Sequence, residues 1–430
     1  MRLSKANTTF WLIWACALLW VSINSYDDPS SIFFSRRRAF QRDYSATREA
    51  EVNAYLEKLE KSPPKTPSTT AKENEFFCVG IPSVNRTDRE TLRLTVGSLV
   101  DSLVDGERAQ VHLVVLLADR NPRDHASYGS RWLSDIADEV IVYDYDGKDG
   151  SEEGKRSVKE PTDAYRVIPY DLRRRGRGDG HTENIHIDHS VLVEACRHHG
   201  SPYFVMVEDD VIAARDWLPR LWNGVANLER RSSLTGHDWL YLRLFHSEML
   251  MGWNNEEILS YLQIIACIYA VLGALIYLVV RLRRRRRATR HRHYKTLELR
   301  VPQSYSFSYM ASLALGLWTP ACIVLFFLAG RVTLHRLITF GGAGIREMPK
   351  YGCCAQGYVF PTRHLEGLQN LLRNPPFEFP VDMVIENHAA AKGFSKWALD
   401  PSILQHLGMV EPSSDGKLNA VWNFSFERLR

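Results

Sequence analysis

The sequence predicts an α/β domain of the doubly wound type, interrupted by a transmembrane helical hairpin and preceded by an N-terminal membrane anchor. Three observations support this prediction. Short apolar runs alternate with helical patterns from Phe76 onward, as in sheets that are covered on both faces. Three stretches without a charged residue are long enough, with their flanks, to cross a membrane. A strongly basic segment separates the second stretch from the third.

The strands of the domain are predicted from their apolar runs, which are FFCVGI, VHLVVLL, EVIVYDY and YFVMV. Helical patterns lie between them, near residues 91–104 and 190–198. Because near-continuous apolar strands are typical of parallel sheets, we expect the strands to run parallel. Neither 76–257 nor 331–430 resembles a complete domain by itself, so we interpret them as the first and second parts of one domain.

Three segments are predicted to span a membrane. We assign residues 10–26 to a transmembrane signal anchor, with a cleaved signal peptide as the alternative. Segments 258–280 and 306–330 contain no Asp, Glu, Lys or Arg and have the length of a span. A buried helix of a soluble protein is rarely this apolar on every face, so both are interpreted as transmembrane helices.

The orientation follows from the loop 281–305, which holds ten Lys or Arg residues and a single acid, Glu298. A short loop this basic stays in the cytosol. The tail 1–9 is then cytosolic, whereas the stem 27–75 and both parts of the domain are luminal. The formal net charge of +4 therefore hides a net acidic luminal part, which argues against nucleic acid as a partner.

Sequons and cysteines give further expectations for a luminal domain. We expect glycosylation at Asn85 and Asn423, which begin Asn-X-Ser/Thr sequons, and none at Asn7. In an oxidising lumen we also expect the cysteines outside the spans to form disulfides whose pairing stays open; these are Cys78, Cys196, Cys353 and Cys354.

Three consecutive acids, Glu208, Asp209 and Asp210, directly follow the apolar run YFVMV. Ligands of open α/β sheets bind at the carboxyl ends of the strands, where these acids are expected to lie. Carboxylate oxygens suit a hard divalent cation, Mg²⁺ or Mn²⁺, which can also hold the diphosphate of a nucleotide sugar. The alternative is an exposed and inert acidic loop.

Five segments of the chain resemble one known family: MVEDDV, WLYLRLFHSEML, CCAQGYVFP, VDMVIENHAAAKG and PSILQHLGMVEPSS. The sequence is similar to the Golgi transferases that add an N-acetylgalactosamine side branch to glycosylphosphatidylinositol (GPI) anchors, the post-GPI-attachment to proteins factor 4-like family. In that family a tandem transmembrane insertion splits a GT-A glycosyltransferase domain. The resemblance implies a multi-pass Golgi membrane enzyme that uses Mn²⁺ or Mg²⁺ and transfers GalNAc from UDP-GalNAc to a mannose of the GPI glycan of a GPI-anchored protein, with inversion.

The same resemblance assigns roles to individual residues. Glu208, Asp209 and Asp210 would bind the metal and the UDP-sugar, with Asp210 as the direct ligand. The uridine would be faced by Pro82, Ser83 and Asp119. The donor sugar would be lined by Ala355, Gln356 and Gly357. Asp382 would be the general base, with Glu386 one helical turn later as the alternate; otherwise both are ordinary acids near a helix start.

Two other functions stay open from the sequence. The segments PSILQHLGMVEPSS and GIPSVNR are also similar to the N-acetylglucosaminyltransferases that branch N-glycans, so GlcNAc and an N-glycan are a second donor and acceptor class. A non-enzymatic three-span membrane protein is the other alternative. Transporters place ionisable groups inside their spans, and the lack of such residues in these spans argues against that class.

Overall fold

The computed structural model divides the chain into two compact units. The helical unit comprises 1–40 and 251–340, and the sheet unit comprises 41–250 and 341–430. The residues that the structure describes are 2–63, 75–85, 90–119, 121–144, 165–169, 181–293, 304–338, 344–348, 354–374, 376–407 and 421–429. Parts of the predicted stem and of the basic loop, and Cys353, lie outside these ranges.

Helices and strands alternate along most of the chain. The helices are α1 (Arg2–Asn24), α2 (Arg36–Ala39), α3 (Tyr44–Lys61), α4 (Thr91–Val100), α5 (Asp105–Arg108), α6 (Arg131–Ile136), α7 (His181–His199), α8 (Trp217–Thr235), α9 (Ile258–His293), α10 (Ser304–Leu313), α11 (Thr319–Ala329), α12 (Arg331–Ile338), α13 (Leu365–Arg373) and α14 (Val381–Lys392). The strands are β1 (Phe77–Ser83), β2 (Val111–Leu117), β3 (Glu139–Asp144), β4 (Tyr165–Pro169), β5 (Tyr203–Val207), β6 (Val211–Ala213), β7 (Trp239–Arg243), β8 (Gly344–Glu347), β9 (Gly357–Pro361), β10 (Ser395–Asp400) and β11 (Leu404–His406).

Among the residues of the helical unit that the structure describes, three helical stretches are long and apolar enough to cross a membrane: Lys5–Asn24, Asn255–Arg285 and Phe307–Ala329. The prediction of one N-terminal and two central apolar helices is thus confirmed. The last stretch combines α10 and α11 with a π-helical turn between them, Ala314–Trp318. By these helices the chain is a membrane protein.

Helices α1 and α11 run in the same direction within the helical unit. The indole N–H of Trp318 donates to Asn7 Oδ1 (3.0 Å), and that of Trp14 donates to the carbonyl of Ala321 (2.9 Å). Later residues of α1 thus contact later residues of the third apolar stretch, as in a parallel pair of helices. Parallel packing is the arrangement required when the first and third spans of a three-span protein cross the membrane in the same sense.

The sheet unit is built on a nine-stranded sheet with the order β4-β3-β2-β1-β5-β9-β7-β10-β8. Strands β1 to β5 of this sheet are parallel, as expected. The sheet also contains antiparallel strands that the sequence did not predict, since β9 is antiparallel to both β5 and β7, and β8 is antiparallel to β10 at the edge. An apolar run such as GYVFP does not encode strand direction, which is decided by pairing with distant segments.

Part of the predicted stem packs into the sheet unit. On α3, Val52 and Leu56 are fully buried, and a Cβ on Gly97 of α4 would lie 2.6 Å from Val52 Cγ1. Glycine at this position permits the close approach of the two helices. Residues 44–61 thus pack onto the sheet unit instead of forming a separate stalk.

The structure contains disulfides at the predicted cysteines that it describes, whereas only one of the two predicted glycosylation sites is accessible. Cys78 and Cys196 form a disulfide between β1 and α7, and Cys354 is also disulfide-bonded. Asn85 is exposed, as a glycan site requires. The prediction for Asn423 is wrong, because this side chain is fully buried and its Nδ2 donates to the carbonyl of His246 (3.0 Å) and to Ser402 Oγ (2.9 Å).

Candidate functional site

The predicted acidic cluster lies at the carboxyl edge of the parallel strands. Glu208, Asp209 and Asp210 follow β5 directly, and Ser83 is the last residue of the neighbouring β1. Asp209 and Asp210 are only 4% and 7% exposed. Because parallel strands end on one side of a sheet, these side chains meet although they are far apart in sequence.

Asp209 is oriented by a buried chain of hydrogen bonds. Ser83 Oγ donates to Asp209 Oδ2 (2.7 Å) and lies 3.1 Å from His125 Nε2. The backbone N–H of Ser127 donates to His125 Nδ1 (3.1 Å), so the proton of the neutral imidazole is on Nε2. Burial lowers the pKa of His125, which favours this neutral form. The imidazole then donates to Ser83, and the hydroxyl proton of Ser83 points to Asp209.

Asp210 faces a histidine that sequence reasoning did not select. His406 Nε2 lies 3.2 Å from Asp210 Oδ2, and the N–H of Leu407 donates to the carbonyl of Asp210 (2.7 Å). Strand β11 pairs with β6, which places His406 opposite Val211. His406 lies in the segment PSILQHLGMVEPSS, so the residue was visible in the sequence. Its proximity to Asp210 depends on a pairing that no local pattern predicts.

The predicted donor-sugar turn lies beside the acids because β9 pairs antiparallel with β5. This pairing sets Gly357 opposite Val207, and the N–H of Glu208 donates to the carbonyl of Gln356 (3.2 Å). Gln356 is buried, and its Oε1 has no hydrogen-bond partner among the residues that the structure describes. Ala355 is half-buried beside it. The reversed strand direction is therefore what brings this turn to the acidic cluster.

The turn begins at Cys354, whose φ of 84° lies in the left-handed region. Arg243 donates a hydrogen bond to the carbonyl of Cys354, and the backbone N–H of Cys354 donates to Asp382 Oδ2 (3.0 Å). Such a conformation is costly for a residue other than glycine and persists only where the surroundings hold it. Gly357 has a packing reason instead, since a Cβ there would lie 2.5 Å from Leu404 Cδ1.

Asp382 and Glu386 have different surroundings although one helical turn separates them on α14. Asp382 is half-buried near the helix start and also accepts the N–H of Met383 (2.9 Å). Glu386 is buried and accepts hydrogen bonds from Arg243 Nη2 (2.7 Å) and Lys396 Nζ (2.7 Å). Tyr241 also donates to Glu386. Asp382 thus contacts the site's turn, whereas Glu386 lies in a buried ion-pair cluster.

The remaining predicted residues lie at the rim of the same edge. Pro82 is half-buried within β1, and Asp119 follows β2. Asp119 Oδ2 accepts the N–H of Asn85 (2.9 Å), which joins the two loops that follow β1 and β2.

The donor set of the site fits a divalent cation. Buried carboxylate oxygens of Asp209 and Asp210 are hard ligands of the kind that Mg²⁺ and Mn²⁺ prefer, and an imidazole nitrogen beside Asp210 favours Mn²⁺ over Mg²⁺. The second-sphere chain through Ser83 fixes the orientation of one carboxylate, as is common at metal sites.

Comparisons with known proteins give one family. A family model described as GPI-N-acetylgalactosamine transferase PGAP4 matches residues 77–405. No curated protein matches the chain. Among solved structures, the chain is similar to the mannosyltransferase PcManGT from Pyrobaculum calidifontis in complex with GDP-Man and Mn²⁺, at 14% sequence identity and a TM-score of 0.21. That match covers 46% of this chain and 44% of the mannosyltransferase, so it spans less than half of either protein.

Proposed function

The chain belongs to the family of GPI-N-acetylgalactosamine transferases and is therefore a glycosyltransferase, and we propose that it transfers GalNAc from UDP-GalNAc to a mannose of a GPI-anchor glycan in the Golgi lumen. The observation that carries the proposal is the meeting of three separate segments at one sheet edge. The acids after β5, the turn before β9 and Asp382 at the start of α14 are joined there by hydrogen bonds.

We assign the cation to Asp210 and His406, with Asp209 and Glu208 beside them. A Mn²⁺ or Mg²⁺ ion held there would neutralise the charge that develops on the departing diphosphate. Ser83 keeps Asp209 oriented toward the site, and the neutral His125 keeps Ser83 in place. These residues thus preorganise the acids before the donor binds.

The donor is assigned to the groups around this cation site. Pro82, Ser83 and Asp119 lie at the ends of β1 and β2, where we propose that they face the uridine. The turn Ala355 to Gly357 is assigned to the donor sugar. Within it, the buried Oε1 of Gln356 is the acceptor that a hydroxyl or amide N–H of the sugar can use.

Asp382 is proposed as the general base of an inverting transfer. In such a reaction a carboxylate removes the proton of the attacking acceptor hydroxyl while the bond to the leaving diphosphate breaks. Asp382 is half-buried and contacts the turn through Cys354. Glu386 is the less suitable alternate, because its two oxygens already accept hydrogen bonds from a phenol, a guanidinium and an ammonium group.

We propose that the sheet unit is luminal and that the tail and the basic loop are cytosolic. The parallel course of α1 and α11 and the charge of the loop support this topology. An acceptor that is anchored in the same membrane reaches a high effective concentration at such a site. Enzymatic deglycosylation is expected to shift the mobility of the protein in a way that Asn85→Gln removes. A shift that depends on Asn7 contradicts the topology.

The donor and acceptor are tested with the purified full-length protein and Mn²⁺. UDP-GalNAc and UDP-GlcNAc are supplied separately, first without acceptor to measure hydrolysis and then with a GPI glycan or an N-glycan. We expect hydrolysis and transfer with UDP-GalNAc and the GPI glycan only. Transfer of GlcNAc to the N-glycan would establish the second substrate class instead. Membership of a transferase family leaves the non-enzymatic three-span protein without support.

A further inference from the structure

A second group of potential metal ligands lies at the edge of the sheet opposite to the acidic cluster. It consists of Glu75, which precedes β1, His112 near the start of β2, and His199 at the end of α7. Glu75 Oε2 lies 3.1 Å from His112 Nδ1 and 2.7 Å from His199 Nε2. The two imidazole rings are stacked, with their centroids 3.8 Å apart.

A disulfide and the pairing of β1 with β2 hold the segments that carry these three side chains close together. The disulfide between Cys78 and Cys196 joins the same two segments, since Cys78 lies three residues after Glu75 and Cys196 three residues before His199. His112 is the cross-strand neighbour of Cys78 in the pairing of β1 with β2. The three ligand atoms therefore stay within 4.8 Å of one another on a covalently closed frame.

The chemistry of the three groups is that of a zinc site. Two imidazole nitrogens and one carboxylate oxygen form a donor set that Zn²⁺ accepts in tetrahedral geometry, with water as the fourth ligand. Tetrahedral bonds of about 2.0–2.2 Å require ligand atoms about 3.4 Å apart, so Glu75 Oε2 has to move away from each histidine nitrogen by less than about 1 Å. Because an imidazole binds a metal in the plane of its ring, one of the two stacked rings also has to rotate about its side-chain bonds. The C-terminal end of α7 also favours a cation next to His199.

We propose that Glu75, His112 and His199 bind one Zn²⁺ ion. The side chain of His199 is 28% exposed, which leaves a route for the ion and room for the water ligand. The bound ion would link the segment that precedes β1 to β2 and to the end of α7. The site is separate from the donor site because parallel strands place the two at opposite ends of the sheet. The proposal therefore does not depend on the assigned reaction.

The experiment uses the full-length protein in detergent, carrying Asp210→Asn so that the acidic cluster binds metal weakly. After removal of metal by a chelator, Zn²⁺ is titrated by calorimetry and Co²⁺ by visible absorption. We expect one Zn²⁺ per chain and the intense absorption of tetrahedral Co²⁺. Binding of no Zn²⁺, or the weak spectrum of octahedral Co²⁺, overturns the proposal and leaves a hydrogen-bonded triad without metal.

Variants identify the ligands. His112→Ala and His199→Ala are each expected to weaken Zn²⁺ binding at least about tenfold, since even changes beyond the direct ligands cost this much. His198→Ala is the matched control, because His198 lies next to His199 on α7 but is 67% exposed. Unchanged Zn²⁺ affinity in both ligand variants overturns the assignment.

One variant separates loss of a ligand from loss of the fold. Glu75→Gln keeps the size of the side chain and an oxygen acceptor but removes the charge that favours the cation. It is expected to fold, to bind Zn²⁺ at least about tenfold more weakly, and to lose the rise in thermal midpoint that Zn²⁺ gives to the parent protein. An undiminished rise in Glu75→Gln contradicts the proposal.

Discussion

Two places in the sheet unit hold buried acids that differ in the partners that they contact. Asp209 and Asp210 are 4% and 7% exposed, and Glu386 is 5% exposed, so burial does not distinguish them. Asp209 accepts a hydrogen bond from a hydroxyl group and Asp210 faces an imidazole, whereas Glu386 contacts a guanidinium and an ammonium group. The comparison shows that the partners of a buried carboxylate, more than its burial, separate a candidate ligand from a structural ion pair.

The side chains that contact Glu386 also hold the turn at Cys354 in place. Burial raises the pKa of Tyr241, so this residue stays protonated and donates to Glu386. The guanidinium of Arg243 lies 4.7 Å from the ring centroid of Tyr358, binds Glu386 and donates to the carbonyl of Cys354. The ion-paired cluster thus fixes the backbone turn that the proposed reaction uses.

The largest effect is expected for Asp210→Ala. Removing the proposed cation ligand takes away charge stabilisation at the leaving diphosphate, so sugar transfer should fall about 10³-fold or more. The abundance of the protein and its distribution in the cell should be unchanged. Transfer is measured with UDP-GalNAc and Mn²⁺ on purified protein.

The matched control for this variant is Asp216→Ala, which removes a largely exposed acid from the same part of the chain. Wild-type activity in Asp210→Ala would remove the basis for treating the acids after β5 as the cation site. A similar loss in Asp216→Ala would show that the effect is not specific to that site.

Asp382→Asn is expected to have the next largest effect. The amide oxygen can still accept the N–H of Cys354, so the turn should stay in place while the base is lost. We expect kcat to fall about 10²-fold to 10⁴-fold, with the KM for UDP-GalNAc nearly unchanged. Steady-state kinetics with varied donor and acceptor check this. A normal kcat in Asp382→Asn contradicts its role as the base.

The features of the fold and of the site that the sequence could predict are those with local signals. The apolar runs of β1, β2, β3 and β5 and the acids after YFVMV are each visible within a few residues. The direction of β9 and the contact of His406 with Asp210 depend on pairing between distant segments, β9 with β5 and β11 with β6. The proximity of Glu75, His112 and His199 has the same origin, because these residues come from three separate segments of the chain.

The residues that contact Glu386 could also not be predicted from the sequence. Asp382 and Glu386 share one helix and one spacing pattern, so sequence could not decide between them as a base. Tyr241 and Arg243 lie on β7 and Lys396 on β10, and only the sheet brings them to Glu386. The choice between Asp382 and Glu386 as the base therefore depends on long-range contacts, which the sequence does not show.

The smallest effect on the reaction is expected for Glu386→Gln. The substitution leaves Arg243 and Lys396 buried without their carboxylate, which should destabilise the fold by about 3 kcal/mol and lower the thermal midpoint by about 10 °C. The kcat per folded molecule should stay within about twofold of the wild-type value, because the amide oxygen of Gln can still accept from Arg243 and keep the turn in place, and Glu386 itself is not assigned to the reaction. Adding Lys396→Met should recover part of the stability, because it removes one of the two unpaired cations. If Glu386→Gln instead kept its thermal midpoint and lost kcat, Glu386 would be the base, and its guanidinium and ammonium partners would no longer mark it as a structural ion pair.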